Sequence, residues 1–162
     1  MKSWKEFSQE EPELALRGKQ MLLQARRCMG LGFLATLRKD GAPRLHPVSL
    51  VLSEDHLFVF IPPKSPKCGD LKRDGRYALQ ACPPPENELG LEFCISGAVK
   101  CIADPNIRQG IINQAAIFVE EPEQLFELLL DRAMYTYLVD QGTPREHPTH
   151  LIWHAAPAAC GG

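Results

Sequence analysis

Apolar and polar positions alternate along this chain in two different rhythms, and the switches between them mark its elements. From Pro12, the residues Leu14, Leu16, Met21, Leu22, Ala25 and Met29 recur at roughly helical spacing, with acidic residues at the start and Arg26 and Arg27 at the end. This predicts an amphipathic helix stopped by Gly30 or Gly32. Phe33 to Leu37 then reads as a strand, and Arg38-Lys39-Asp40-Gly41 supplies an Asp-Gly turn into a second strand from Pro43. Leu45 to Leu52 and Leu57 to Ile61 flank the polar turn Ser53-Glu54-Asp55-His56 and predict a hairpin. Ser65 and Pro66 open a short helix that Gly75 ends.

Tyr77 to Cys82 is the next strand, stopped by Pro83-Pro84-Pro85, and Leu91 to Ala103 alternates in part, with a bulge or bend at Gly97. Asp104 and Pro105 begin a helical region reaching to about Phe118. Glu121-Pro122-Glu123 is expected to begin another helix, carrying Leu125, Phe126, Leu128, Leu129 and Leu130. Met134 to Val139 and His150 to His154 supply the last strands, either side of the loop from Gln141 to Glu146. Six or seven strands with short turns and a few helices favour a mainly β fold, a closed antiparallel barrel with flanking helices, over a doubly wound sheet.

At 162 residues, 44% of them hydrophobic, the chain suits one core and is short for two, so residues 1–162 are expected to form a single domain. Residues 1–11 and 155–162 are expected to be loose. A net charge of -2 gives no basic field for nucleic acid, and no apolar run approaches the roughly 20 residues needed to cross a bilayer. With an acidic N-terminus unlike a secretory signal, the expected location is cytoplasmic. Six cysteines without a CxxC pair read as reduced core residues. His150 and His154 share a strand face with His147 nearby, but four residues of strand span about 13 Å, too far for one metal ion, and no metal site is expected.

The start of the helix at Ser65 is the candidate site. A helix start presents backbone amides, here those of Lys67 and Cys68, with the positive end of the helix dipole behind them. Lys64 and Lys67 flank it, and two ammonium groups beside amides suit a phosphate dianion. The alternative is a capped helix with solvated lysines.

The order of these features is specific. A strand opening with Arg44, the hairpin, Ser65-Pro66-Lys67 and then Leu71-Lys72-Arg73-Asp74-Gly75-Arg76-Tyr77-Ala78-Leu79 resembles the pyridoxamine 5′-phosphate oxidase-like family of flavin-binding split β-barrels. The resemblance extends from Gly32 to Trp153. It implies an FMN-binding oxidoreductase acting on a small molecule, a homodimer with the cofactor at the subunit interface, and a phosphate held by Lys67, Ser65 and Lys64. It implies that Arg44 donates to the phosphate or a ring carbonyl, that Arg44, Leu45, His46, Pro47, Val48 and Ser49 run beside the isoalloxazine ring, and that Trp153 packs near a flavin. For each the plainer reading stays open: a solvated arginine, a surface histidine at His46, an N-cap at Ser65, a core or interface tryptophan at Trp153.

The chain departs from the vitamin oxidases of the family at Ser49, where they carry a substrate-facing lysine, at Pro66, where they carry an arginine, and after Trp153, where their substrate-binding segment has no counterpart. Those departures argue against vitamin oxidase activity. Two other functions are compatible with the resemblance: a deazaflavin-dependent reductase, whose cofactor tail would want a wider basic groove recruiting Arg73 or Arg76, and a non-enzymatic flavin- or haem-binding protein. No catalytic residue is assigned, because hydride transfer to or from a flavin needs no protein base.

Overall fold

The computed structural model describes residues 1–23, 29–82, 90–115, 119 and 123–156. Its elements are helices α1 (Trp4–Glu10) and α2 (Pro12–Leu23), strands β1 (Met29–Leu37), β2 (Pro43–Ser53) and β3 (His56–Ile61), helix α3 (Pro66–Arg73), strands β4 (Arg76–Ala81) and β5 (Glu92–Ile102), helix α4 (Pro105–Ala115), and strands β6 (Gln124–Val139) and β7 (His147–His154). The strands run in the order β3-β2-β1-β4-β5-β6-β7, and β3 also pairs with β6. Six antiparallel strands therefore close into a barrel, and β7 is an extra strand on the outer half of β6.

Local chemistry accounts for the joints. Gly41 sits at φ +83° in the β1–β2 turn, where the Arg38 and Gly41 amides and the Asp40 carboxylate close the loop. In the β2–β3 hairpin Ser53 pairs with His56, and Glu54 and Asp55 both take left-handed conformations. That is the backbone a two-residue hairpin loop requires, although neither residue is glycine. At Gly97 the register between β5 and β6 shifts, and a Cβ there would lie 1.9 Å from the Leu129 carbonyl oxygen, so the expected bulge is present and glycine is required.

Three expectations are corrected. The run Leu125 to Leu130 is strand, the first half of β6, because β3 and β5 pair with both of its edges. Its inward residues Phe126, Leu128 and Leu130 fill the barrel while Leu125 joins a second apolar cluster outside with Ile111 and Ala115 of α4. A strand covered on both faces is apolar on both faces, and it loses the alternation that identifies strands. The N-terminal residues 1–11 form an ordered helix. Ser3 and Glu6 make a reciprocal capping box, Trp4 and Phe7 are buried, and Lys2 exchanges two backbone hydrogen bonds with Leu130. Helix α2 is described only to Leu23. Ala25 lies outside the described residues, and Met29, Gly30 and Gly32 belong to β1 rather than to a helix end.

The prolines 83–85, the end of the helical region near Phe118, and residues 157–162 also lie outside the described residues. The main core fills the barrel and continues under α1 and α2, where Phe7 packs on Trp153 at a centroid distance of 4.8 Å and Trp4 on Phe93 at 6.2 Å. No helix among the described residues is long and apolar enough to cross a membrane.

Candidate phosphate site at the start of helix α3

Strand β2 sorts its residues by parity. Arg44, His46 and Val48 share the face turned toward the barrel, whereas Leu45, Pro47 and Ser49 are exposed on the outside. The structure thus divides the expected flavin strand in two. Arg44 and His46 join helix α3 at one end of the barrel. Leu45, Pro47 and Ser49 stand opposite Ala35, Phe33 and Leu31 of β1, and Leu31, Phe33 and Leu45 form an exposed apolar face.

Helix α3 starts as expected, with Ser65 at the N-cap and Pro66 in the first turn, and Gly75 takes φ +79° beyond its end. The Ser65 hydroxyl makes no capping bond. The Cys68 amide, expected to be free, instead donates to the Ser65 carbonyl at 2.9 Å, because the first turn tightens. Lys64 is exposed, while Ser65 and Lys67 are half-buried.

Asp70 is the residue that sequence reasoning missed. Buried at one turn beyond Lys67, it accepts bonds from the Arg44 Nε at 2.8 Å, the Thr36 hydroxyl at 3.0 Å and the Arg73 guanidinium at 3.3 Å. Burial alone would push its carboxyl up, but the bonds from Arg44, Thr36 and Arg73 outweigh it and hold the pKa below the ordinary aspartate range. Arg44 is therefore fixed by Asp70 rather than solvated. The available signal was an acidic residue among the buried positions of an otherwise basic helix, spaced to face β2.

His46 lies within this charge cluster. Burial, then the Lys67 and Arg44 charges, hold its pKa below the usual histidine value, with Asp70 opposing them. Its Nε2 is buried and has no hydrogen-bond partner. An orphaned imidazole nitrogen in the field of two cations fits an anionic oxygen ligand, and a phosphate suits it. A neighbouring groove of about 370 Å³ is lined by Arg38, Lys39, Arg44 and Arg73 with Asp40 and Asp70, extending the positive region from α3 toward the β1–β2 turn. Arg76 is paired with Asp74 and exposed.

Trp153 is not brought to this cluster. Its ring lies in the core against Phe7, and its indole N–H donates to the Glu10 carboxylate at 3.1 Å. Among the described residues no group of three or more histidine, cysteine or acidic side chains is placed to hold a metal ion.

The match to known proteins covers the same region. The model of the family described as Pyridoxamine 5′-phosphate oxidase matches residues 22–153. No curated protein sequence matches the chain. Among solved structures, the heme-binding protein from Mycobacterium smegmatis superposes with a TM-score of 0.57 at 17% identity, covering 82% of this chain and 57% of that one. The heme storage protein HutZ from Vibrio cholerae gives 0.56 at 13% identity, covering 74% and 89%. A NimC/NimA family protein from Clostridium acetobutylicum gives 0.54 at 15%, covering 84% and 93%. At these identities the likeness is one of fold. A barrel of this topology, matched by the family model over most of its length, makes the chain a member of the pyridoxamine 5′-phosphate oxidase family of split barrels.

Proposed function

We propose that the protein binds FMN and acts as an oxidoreductase on a small molecule. The observation that carries this reading is the buried, unpartnered Nε2 of His46, whose ring feels the charges of Lys67 and Arg44; the Ser65 hydroxyl at the helix start makes no capping bond. The phosphate would be held by Lys67, Ser65 and His46, with Lys64 adding charge from outside. Arg44, positioned by Asp70, adds to the positive potential of the site and, after burial and Lys67, helps to lower the His46 pKa. The β2 backbone from Leu45 to Ser49 would lie along the ring. The flavin would supply the hydride or electron transfer, and the protein would supply position and shielding.

The exposed apolar face of Leu31, Phe33 and Leu45 supports a homodimer, since a monomer seldom leaves such a patch in water. A cofactor lying over Leu45, Pro47 and Ser49 would then be covered by the second subunit. Trp153 has its partners in the core, which favours a structural role for it.

A second reading, a deazaflavin-dependent reductase, is favoured by the groove of Arg38, Lys39, Arg44 and Arg73, which would accept a longer anionic tail. The visible spectrum of the purified protein, followed by heat release and mass analysis of the pigment, separates these readings. A two-band yellow spectrum yielding FMN supports the first, and a single-band deazaflavin spectrum the second. A Soret band would replace both with a haem-binding role. A colourless protein that takes up no flavin on titration would remove the functional reading while leaving the fold intact.

A further inference from the structure

Helix α4 is anchored to the outside of the barrel at several points. Ile111 and Ala115 sink into the cluster with Val51 and Phe58, the Ser53 hydroxyl donates to the Gln114 side chain, and the Arg108 guanidinium lies 5.6 Å from the Phe60 ring centroid. Between these anchors a cavity of about 800 Å³ remains over the outer faces of β3, β5 and β6. None of its lining residues belongs to the cluster at α3.

The cavity contains an acid–base pair, a half-exposed histidine on a buried carboxylate, that the proposed cofactor chemistry does not use. His56 Nδ1 lies 2.5 Å from Glu127 Oε1, and the Glu127 side chain is only 7% exposed. A carboxylate can only accept, so Nδ1 carries the proton, and in the neutral ring Nε2 keeps its lone pair. Phe58 stacks beside the imidazole, its ring 6.2 Å away at 25°. Ile102 and Ile107 supply apolar sides, although Ile107 is half exposed.

Gly110 forms part of the wall. It lies mid-helix, where glycine weakens a helix, yet a Cβ at that position would meet nothing within 4 Å. Neither packing nor backbone conformation demands glycine there, so a larger side chain can be placed in the wall without a clash at its Cβ.

We propose that this cavity is a second ligand site, for a small neutral aromatic molecule bearing a hydroxyl or ring N–H. The donor would bond to His56 Nε2, and the ring would lie against Phe58 and the isoleucines. The described lining residues carry two carboxylates, Glu54 and Glu127, against the single ammonium of Lys100, a balance that disfavours an anion.

The probes are p-cresol and 4-methylanisole, which share a ring and differ in the O–H donor, followed by NMR on the full chain. Saturable p-cresol shifts at the Gly110 amide and the His56 ring are expected, with 4-methylanisole about tenfold weaker because His56 loses its donor. Gly110→Leu should lower p-cresol affinity by a similar factor while leaving FMN titration unchanged. Absence of saturable shifts at these two residues, equal binding of both probes, or undiminished binding to a folded Gly110→Leu variant would each overturn the proposal. Because the readout is the probe at Gly110 and His56, a failure of the cofactor reading leaves this test intact.

Discussion

Arg44 on β2 and Asp70 on α3 are joined by a 2.8 Å bond from the guanidinium Nε to a carboxylate oxygen that is almost wholly buried. This bond ties the helix to the strand that opens the candidate site, and it fixes the direction of one of the two cations that act on His46. Replacing Asp70 with Asn should cost about 1.5–3 kcal/mol at neutral pH, the range for hydrogen bonds to charged groups. Because the folded pKa of Asp70 is depressed, its contribution is full above the unfolded value near ~3.9 and is lost as pH falls through the folded value. Denaturant melts of both proteins from pH 7 downward should show the gap closing in acid; a gap independent of pH would contradict the ion-pair account.

Lys67 and Lys72 lie on the same short helix, but only Lys67 is at its start. Lys67→Ala should weaken FMN binding by about tenfold or more, the worth of a charge-assisted bond, whereas Lys72→Ala should change it by less than about threefold. Fluorescence titration of flavin decides between them, and equal losses would remove the phosphate assignment.

His46 should titrate below the ordinary value of about 6.5 in the free protein, by histidine NMR. A phosphate dianion beside it would stabilise the imidazolium, so FMN should raise its pKa. The same depression has a sign for folding. The unfolded chain takes up more protons as pH drops through ~6.5, so stability declines over that window, and His46→Gln should flatten the slope. A His46 pKa unmoved by FMN would place the phosphate elsewhere.

Phe7 is fully buried against Trp153, so Phe7→Ala should destabilise the fold by about 3–5 kcal/mol, read as a lowered denaturation midpoint. An unchanged midpoint would mean that α1 contributes nothing to the core.

Much of this architecture is legible in the chain. The Asp40-Gly41 turn, the hairpin at Glu54-Asp55, the Ser65-Pro66 helix start and the Gly97 bulge each follow from a local rule that the fold respects. Helix α1 was legible too, through Ser3-Trp4-Lys5-Glu6, a capping-box signature that is easy to pass over at a polar terminus. The strand at Leu125 to Leu130 was not, since Leu and Glu are good helix formers and only pairing with β3 and β5 overrides them. At the site, Lys67 and Ser65 announce themselves by position. Asp70 does not, because its importance comes from Arg44 and Thr36, 26 and 34 positions away.

The pairing of β3 with β6 has a consequence for how the barrel forms and opens. It rests on four residue pairs between strands far apart in the chain, and the His56–Glu127 bond beside it spans 71 positions. Such a closure carries the loop entropy of everything between, so this seam is expected to zip last during folding and to part first in partial unfolding. Amide exchange along Phe58 to Ile61 should outpace that of the long β5–β6 ladder, and a ligand seated over the seam would slow it.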